Sequence, residues 1–234
     1  MITAALSSYL LGSIPTAHVL GRWLKKIDIR KVGVRNMGAL NAYRVLGPAW
    51  GLVTFLIDAG KGSLAVAMAQ AAGLSAQAMA LCGVLAVAGH NWPVFARFRG
   101  GKGAATGIGV VIALGGSVAL WVAAMIGALY LATRNISVSL GVVFVVLPVL
   151  YLWEGRPAEA TVMGVGLLSV IGLKMRSSLA DVSYASRGRP GLFLGYLVHG
   201  VPPEIVEARQ RLADTRARAQ AGGQRDRNDA PGSG

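Results

Sequence analysis

The chain is predicted to be an all-α integral membrane protein of about seven transmembrane helices. Apolar residues fall in long blocks, at Trp50–Ile57, Leu64–Val87, Ala104–Ala132, Val138–Leu152 and Thr161–Leu173, besides a first block at the N-terminus. A crossing helix needs about 20 predominantly apolar residues. Charged residues make up only 14% of the 234, against 54% apolar, too little to coat a soluble domain of that size. The lysines and arginines also collect in alternate connections between the blocks.

The elements follow in order. Span 1 is expected over Ile2 to Trp23, followed by a basic loop, Leu24 to Gly47, with Lys25, Lys26, Arg30, Lys31, Arg35 and Arg44. Span 2, about Pro48 to Ala69, holds Asp58 and Lys61, and Gly73 marks a turn into span 3, Leu74 to Phe95. A second basic loop, Ala96 to Gly103, carries Arg97, Arg99 and Lys102. Ala104 to Leu114 is a short or tilted span 4, because Gly115 and Gly116 break it from span 5, Ser117 to Thr133. Arg134 and Asn135 turn into span 6, Ile136 to Trp153, and the Glu154–Pro157 turn leads to span 7, Ala158 to Leu173. With seven spans, both basic loops, the Arg134 turn and the C-terminal tail share one side. The positive-inside rule then places that side and the C-terminus in the cytoplasm, and the N-terminus outside.

A net charge of +13 first suggests nucleic acid. Because the charge alternates with apolar spans, orientation and attraction to anionic lipid or an anionic substrate explain it better, and no nucleic-acid partner is expected. The single cysteine, Cys82, lies in an apolar block, which leaves no internal disulfide or cysteine metal cluster. Met1 to Leu20 lacks a positive n-region and a clear cleavage site, so it is expected to be a retained span rather than a signal peptide. After Lys174 the character changes, and the chain divides into a membrane body, residues 1–176, a basic cytoplasmic or interfacial segment, 177–221, and a disordered tail, 222–234.

Three groups of residues can carry chemistry. The first is IDIRKVGVRNMGALNAYR, Ile27 to Arg44. Gly33 and Gly38 suit tight turns, and the amides of Asn36 and Asn41, with Arg35 and Arg44, suit a phosphate. An ordinary solvated loop reads equally well from this segment alone. The second is GHNWPVFARFRGGKGAATGIG, Gly89 to Gly109. Gly100, Gly101 and Gly103 flank Lys102 at an expected helix start, where free N–H groups and the helix dipole favour an anion. Thr106, at i+4 from Lys102, faces the same place. The spacing is not that of a Walker A loop, and no strand precedes it. The third is Asp58 with Lys61, a charged pair inside a span. One buried charge there costs at least about 2.5 kcal/mol, so a structural ion pair and a group lining a site both fit.

Of the histidines His18, His90 and His199, His90 borders the second loop and can hydrogen-bond there. No catalytic triad order, H-E-x-x-H element or H-x-x-x-x-D box is present in usable form, so no metal and no cofactor is expected.

These residues together resemble the bacterial acyl-phosphate:glycerol-3-phosphate acyltransferases, the PlsY family. The resemblance covers roughly Leu11 to Leu173. It rests on GSIPTAHVL from Gly12, on the Asp28–Arg44 pattern, on D-x-x-KG at Asp58, on GH-x-x-PVF-x-x-F-x-GGKGAAT from Gly89 to Thr106, and on LATRNIS at Leu131. It implies a seven-span enzyme of the bacterial inner membrane, a monomer among membrane lipids. That enzyme would move a fatty acyl group from acyl phosphate to glycerol 3-phosphate and make lysophosphatidic acid for phospholipid synthesis. It implies that Lys102 and Arg44, with Thr106, serve the reacting phosphates. It also implies that Asn36, Gly38, Asn41, Gly101, Gly103 and Thr106 shape the site; Gly100, Asp58, Lys61 and His90, with Arg35 and Ser178 at positions that depart from the family, are further substrate-binding candidates from the residues themselves. An acyl phosphate is already activated, so positioning and charge neutralisation suffice without a covalent nucleophile.

The chain departs from the family at two places. Where the first motif usually reads G-S-G-N-x-G-A-T-N, this chain has Val34, Arg35 and Leu40 in place of serine, glycine and threonine. Where R-H-R-x-N-I is usual, Lys174 to Leu179 read KMRSSL, so that Met175 and Ser178 replace histidine and asparagine. These departures keep two alternatives open: an acyltransferase with another acceptor, or a non-catalytic homologue that binds anionic lipid or a partner enzyme.

Overall fold

In the computed structural model, residues 1–174 are described and belong to one all-helical unit. Ser178 and the boundaries expected at 176/177 and 221/222 lie outside the described residues.

Among the described residues, nine helices follow in order: α1 (Ile2–Gly12), α2 (Thr16–Lys25), α3 (Ala39–Leu46), α4 (Pro48–Ala71), α5 (Ala76–Asn91), α6 (Ala104–Leu114), α7 (Val118–Thr133), α8 (Ile136–Trp153) and α9 (Pro157–Lys174). Short 3₁₀ turns sit at Ile29–Lys31 and Val94–Ala96, in the two basic loops. Among the described residues, α4, α5 prolonged to Ala96, α8 and α9 are long and apolar enough to cross a membrane. α6 and α7 are shorter apolar helices. At 1.5 Å per residue, the 11 residues of α6 reach only about half of the roughly 30 Å hydrocarbon layer.

The expected bounds of spans 4 and 6 coincide with α6 and α8. Span 1 needs correction, because the apolar block is not one helix. It breaks at Ser13–Pro15 into α1 and α2. The residue before a proline is disfavoured in helical conformation, and Pro15 cannot donate to the preceding turn.

Two sets of contacts bring the helices close. Gly12 and Gly89 sit at the α1–α5 crossing, where a Cβ on Gly12 would collide with the Ala86 carbonyl and one on Gly89 with the Tyr9 carbonyl. Gly62 and Gly109 do the same between α4 and α6, against the Thr106 and Ala59 carbonyls. Ser63 Oγ adds a hydrogen bond to Gly109 O at 2.8 Å. Small residues and cross-helix hydrogen bonds are what hold helices together where lipid removes the hydrophobic advantage of packing.

The main apolar core joins α4 to α9 through Val66, Val87, Val110, Phe144, Leu147 and Leu167. A separate small cluster of Ala17, Ile29, Met37, Ala42, Leu46 and Ala96 lies beneath the first basic loop. Ala96 belongs to the second loop, so this cluster packs the two loops against each other.

Candidate functional site

The first loop is organised by Asn41, which is fully buried in the first turn of α3. Its Nδ2 donates to the carbonyls of Ile29 (3.0 Å), Val32 (3.2 Å) and Asn36 (2.8 Å). Its Oδ1 accepts from Val34 N at 2.8 Å. Both faces of the amide are thus committed to the loop backbone, and Asn41 shapes the site without presenting a donor to a ligand. Gly33 is required beside it: φ is +59°, and a Cβ would strike Asn41 Oδ1. Asn36 accepts from Gly38 N at 2.9 Å, closing the turn that opens α3. Arg44 is exposed in the last turn of that helix.

Asp28 ties the loop at its other end. Its carboxylate accepts from Arg30 N, Nε and Nη2 at 2.8–3.0 Å. The Arg30 guanidinium therefore holds the Asp28 carboxyl well below the usual carboxylate range, and Asp28 raises the Arg30 guanidinium in turn. Arg30 Nη1 also donates to Ala96 O at 3.0 Å, a direct bond between the loops.

The second loop is held by its own backbone against the end of α5. Gly100 N donates to Asn91 O (3.2 Å) and Gly101 N to His90 O (3.1 Å). A Cβ on Gly100 would collide with the His90 carbonyl, and one on Gly101 with His90 Nε2. Gly103, with φ of +78°, starts α6 with no side-chain cap. The first-turn N–H groups of an uncapped helix lack intrahelical acceptors. Thr106 is fully buried just beyond, and its Oγ1 makes no hydrogen bond. Lys102 is half-buried between the glycines.

Behind this loop lies the charged pair. Lys61 Nζ contacts Asp58 Oδ1 (2.6 Å), Ile14 O (2.7 Å) and Thr16 Oγ1 (3.0 Å). Thr16 Oγ1 in turn donates to Asp58 Oδ1 at 2.9 Å. The Ile14 carbonyl lies at the break between α1 and α2, where it also accepts from Thr16 N at 3.1 Å, so the pair stitches that break. Lys61, with three donors, is used up by these three contacts. Asp58 and Lys61, expected among the substrate-binding groups, hold Thr16 between them in this structure, and Asp58 Oδ2 is buried without a hydrogen-bond partner. They still bear on the site, because His90 Nδ1 lies 3.8 Å from Asp58 Oδ1 while its other nitrogen faces Gly101.

The structure thus gathers Gly100, Gly101, Gly103, Thr106 and His90 with Asp58 and Lys61 behind them, and gathers Asn36, Gly38 and Asn41 separately. Arg30 and the small apolar cluster join the two groups. Three contributors escaped the sequence reading. Thr16 and Arg30 had signals, since Pro15 breaks a helix just before Thr16 and Asp28–Arg30 is an i, i+2 pair. Asn91 had none.

Comparison with known proteins gives a consistent result. The glycerol-3-phosphate acyltransferase family model matches residues 2–182. Glycerol-3-phosphate acyltransferase 4 of Dehalococcoides mccartyi is 43% identical over 168 residues, covering 72% of this chain and 91% of that protein. Glycerol-3-phosphate acyltransferase 1 of Moorella thermoacetica is 37% identical over 189 residues, covering 81% and 96%. Among solved structures, the integral membrane glycerol 3-phosphate acyltransferase PlsY in its glycerol 3-phosphate form superposes with a TM-score of 0.71 at 31% identity, covering 78% of this chain and 92% of that one. Its lysophosphatidic acid form gives 0.69 at 30%, covering 78% and 91%.

Proposed function

This chain belongs to the glycerol-3-phosphate acyltransferase family, and from that premise we propose how its own residues carry the reaction. It is a multi-pass membrane acyltransferase of phospholipid synthesis that uses an acyl phosphate donor. A hydroxyl oxygen of glycerol 3-phosphate attacks the acyl carbonyl carbon. The new ester bond forms as the bond from that carbon to the phosphate oxygen breaks. Phosphate leaves with the bonding electrons and takes up the hydroxyl proton, and lysophosphatidic acid remains.

One observation carries the assignment of roles: an uncapped helix start, a lysine between glycines and a buried, unpartnered threonine hydroxyl meet at Gly100–Thr106. This is an anion site. Lys102 and the α6 N-terminus neutralise the phosphate as charge develops on it, and Thr106 donates one hydrogen bond. Arg44 serves the second phosphate, and Arg35 adds a cation at the neighbouring turn. Asn36, Gly38 and Asn41 hold the first loop, while His90, backed by Asp58 and Lys61, holds the second. Metal and cofactor play no part in this scheme.

The decisive measurement is phosphate release from acyl phosphate by the purified protein, with and without glycerol 3-phosphate. We expect acceptor-dependent release that falls by about 100-fold or more in Lys102→Ala. Release indifferent to that substitution would remove Lys102 from the site. Absence of release with glycerol 3-phosphate but turnover with another polar acceptor would favour the altered-acceptor reading.

The basic loops support an active site on the cytoplasmic face of the bacterial plasma membrane, in a chain of seven crossings with its N-terminus outside. In a Cys82→Ser background, single cysteines at Arg97 and Gly155 should then react with an impermeant thiol reagent from opposite sides. Labelling of both from one side would break this topology.

A further inference from the structure

Asn91 ends α5 and is fully buried. Its backbone carbonyl accepts from Gly100 N at 3.2 Å and from Lys174 Nζ at 2.8 Å. Its Nδ2 donates to Val170 O, in α9, at 3.3 Å. Its Oδ1 is buried without a hydrogen-bond donor. That oxygen lies against Gly103: a Cβ there would stand 2.9 Å away, so a Cα–H of Gly103 faces it, a weak contact. The Lys174 ammonium also sits 5.7 Å from the centre of the Trp92 ring.

A buried carboxamide with one donor used and its acceptor unpaired is a poor choice for packing alone. An aliphatic side chain would fill the same volume without an unsatisfied group. What the amide supplies is a strut with two ends. One end reaches the last turns of α9, and the other bears on the residue that starts α6. Lys174 reaches the same point from the same helix.

We propose that Asn91 is a positioning residue that fixes the Gly100–Gly103 loop to the end of α9 and so sets the affinity of Lys102 and the α6 N-terminus for substrate phosphate. This rests on the reading of that loop as the phosphate site.

The test uses the full-length protein in nanodiscs, with Asn91→Ala and Asn91→Asp. Hydrogen exchange over residues 97–109 should quicken about tenfold at the loop in both variants, the size of one lost hydrogen bond. In phosphate-release assays, KM for acyl phosphate or glycerol 3-phosphate should rise about tenfold in Asn91→Ala, with kcat within about threefold. Asn91→Asp should be worse, about 100-fold in KM, because a carboxylate cannot donate to Val170 O and repels phosphate. A merely space-filling residue gives the opposite order, with the isosteric Asp near wild type and Ala worst, and that order overturns the proposal. Unchanged exchange overturns it as well. A wild type that turns over no substrate removes the acyltransferase reading, and the exchange data then decide the strut by themselves. If neither Asn91 variant folds, Lys174→Met removes the second tie from outside the core. It should quicken exchange at the loop about threefold, and no change there refutes the coupling to α9.

Discussion

The first loop takes its shape from side chains. Asn41 gathers three carbonyls and an N–H, Asp28 gathers three donors of Arg30, and Asn36 closes the last turn. The second loop takes its shape from missing side chains. Gly100, Gly101 and Gly103 lie so close to His90 and Asn91 that any Cβ would collide. The two designs tolerate change differently. At position 34 the hydrogen bond to Asn41 comes from the backbone N–H, which any residue but proline supplies. Val34, one of the positions where the chain departs from the family pattern, is therefore compatible with an intact first loop. A glycine-built loop has no such slack, and this chain keeps every glycine of it.

The comparison can be broken most sharply at Gly100. Gly100→Ala drives a methyl into a backbone carbonyl that cannot move aside, so activity should fall at least about 100-fold, with stability lower by about 3 kcal/mol. Phosphate release and thermal unfolding in detergent measure both, and a tolerated alanine would refute the account of the second loop. Asn41→Ala should rank next. It strands several buried backbone groups and should lower stability by about 2–3 kcal/mol, with a higher KM following from a loosened first loop. Small losses in both quantities would mean that Asn41 is not the organiser.

Arg35→Gly has the opposite sign. Arg35 adopts φ of +57°, a conformation that costs a residue with a Cβ about 1 kcal/mol. Glycine should thus raise the melting temperature by a few degrees. If Arg35 assists substrate binding, KM should rise in the same variant. A variant that gains stability and loses nothing would leave Arg35 without a role.

The smallest effect concerns pH. Asp28 is held below its ordinary range by Arg30, so the pair stabilises the fold at all pH values above the usual carboxylate pKa of about 3.9. That contribution is lost as the pH falls below this value toward the lower folded-state pKa. Arg30→Met should flatten the acid limb of the stability profile and loosen the link to Ala96. An unchanged acid limb would show that Arg30 does not perturb Asp28.

Much of this was legible before any coordinates. The bounds of α6 follow from an apolar run stopped by Gly115 and Gly116, and those of α8 from a run between Asn135 and Glu154. The turn around Lys102 was legible as the entry to a helix, because Gly100, Gly101 and Gly103 stand just before the apolar run of α6. The break in span 1 had its signals in Pro15 and in the more polar run Thr16–Lys25 after it, but the length from Ile2 to Trp23 suits a single crossing just as well. Asp58 and Lys61 announced a charged pair, yet whether it would face a substrate or a broken helix depended on where α1 and α2 meet α4.

The sequence by itself determined the solvent of this protein, the bounds of its apolar helices and the positions of its cationic loops. Those properties follow from hydropathy and from local backbone preference. Only the tertiary structure decided that Lys61 would cap the Ile14 carbonyl and that His90 would stand between Asp58 and Gly101. It likewise decided that Asn91 would join the Gly100–Gly103 loop to α9. These pairings depend on how closely α1 approaches α5 and α4 approaches α6, which glycines permit but whose partners no single segment encodes. The basic, glycine-rich loops are visible in the chain, and their rigidity comes from helices distant in sequence.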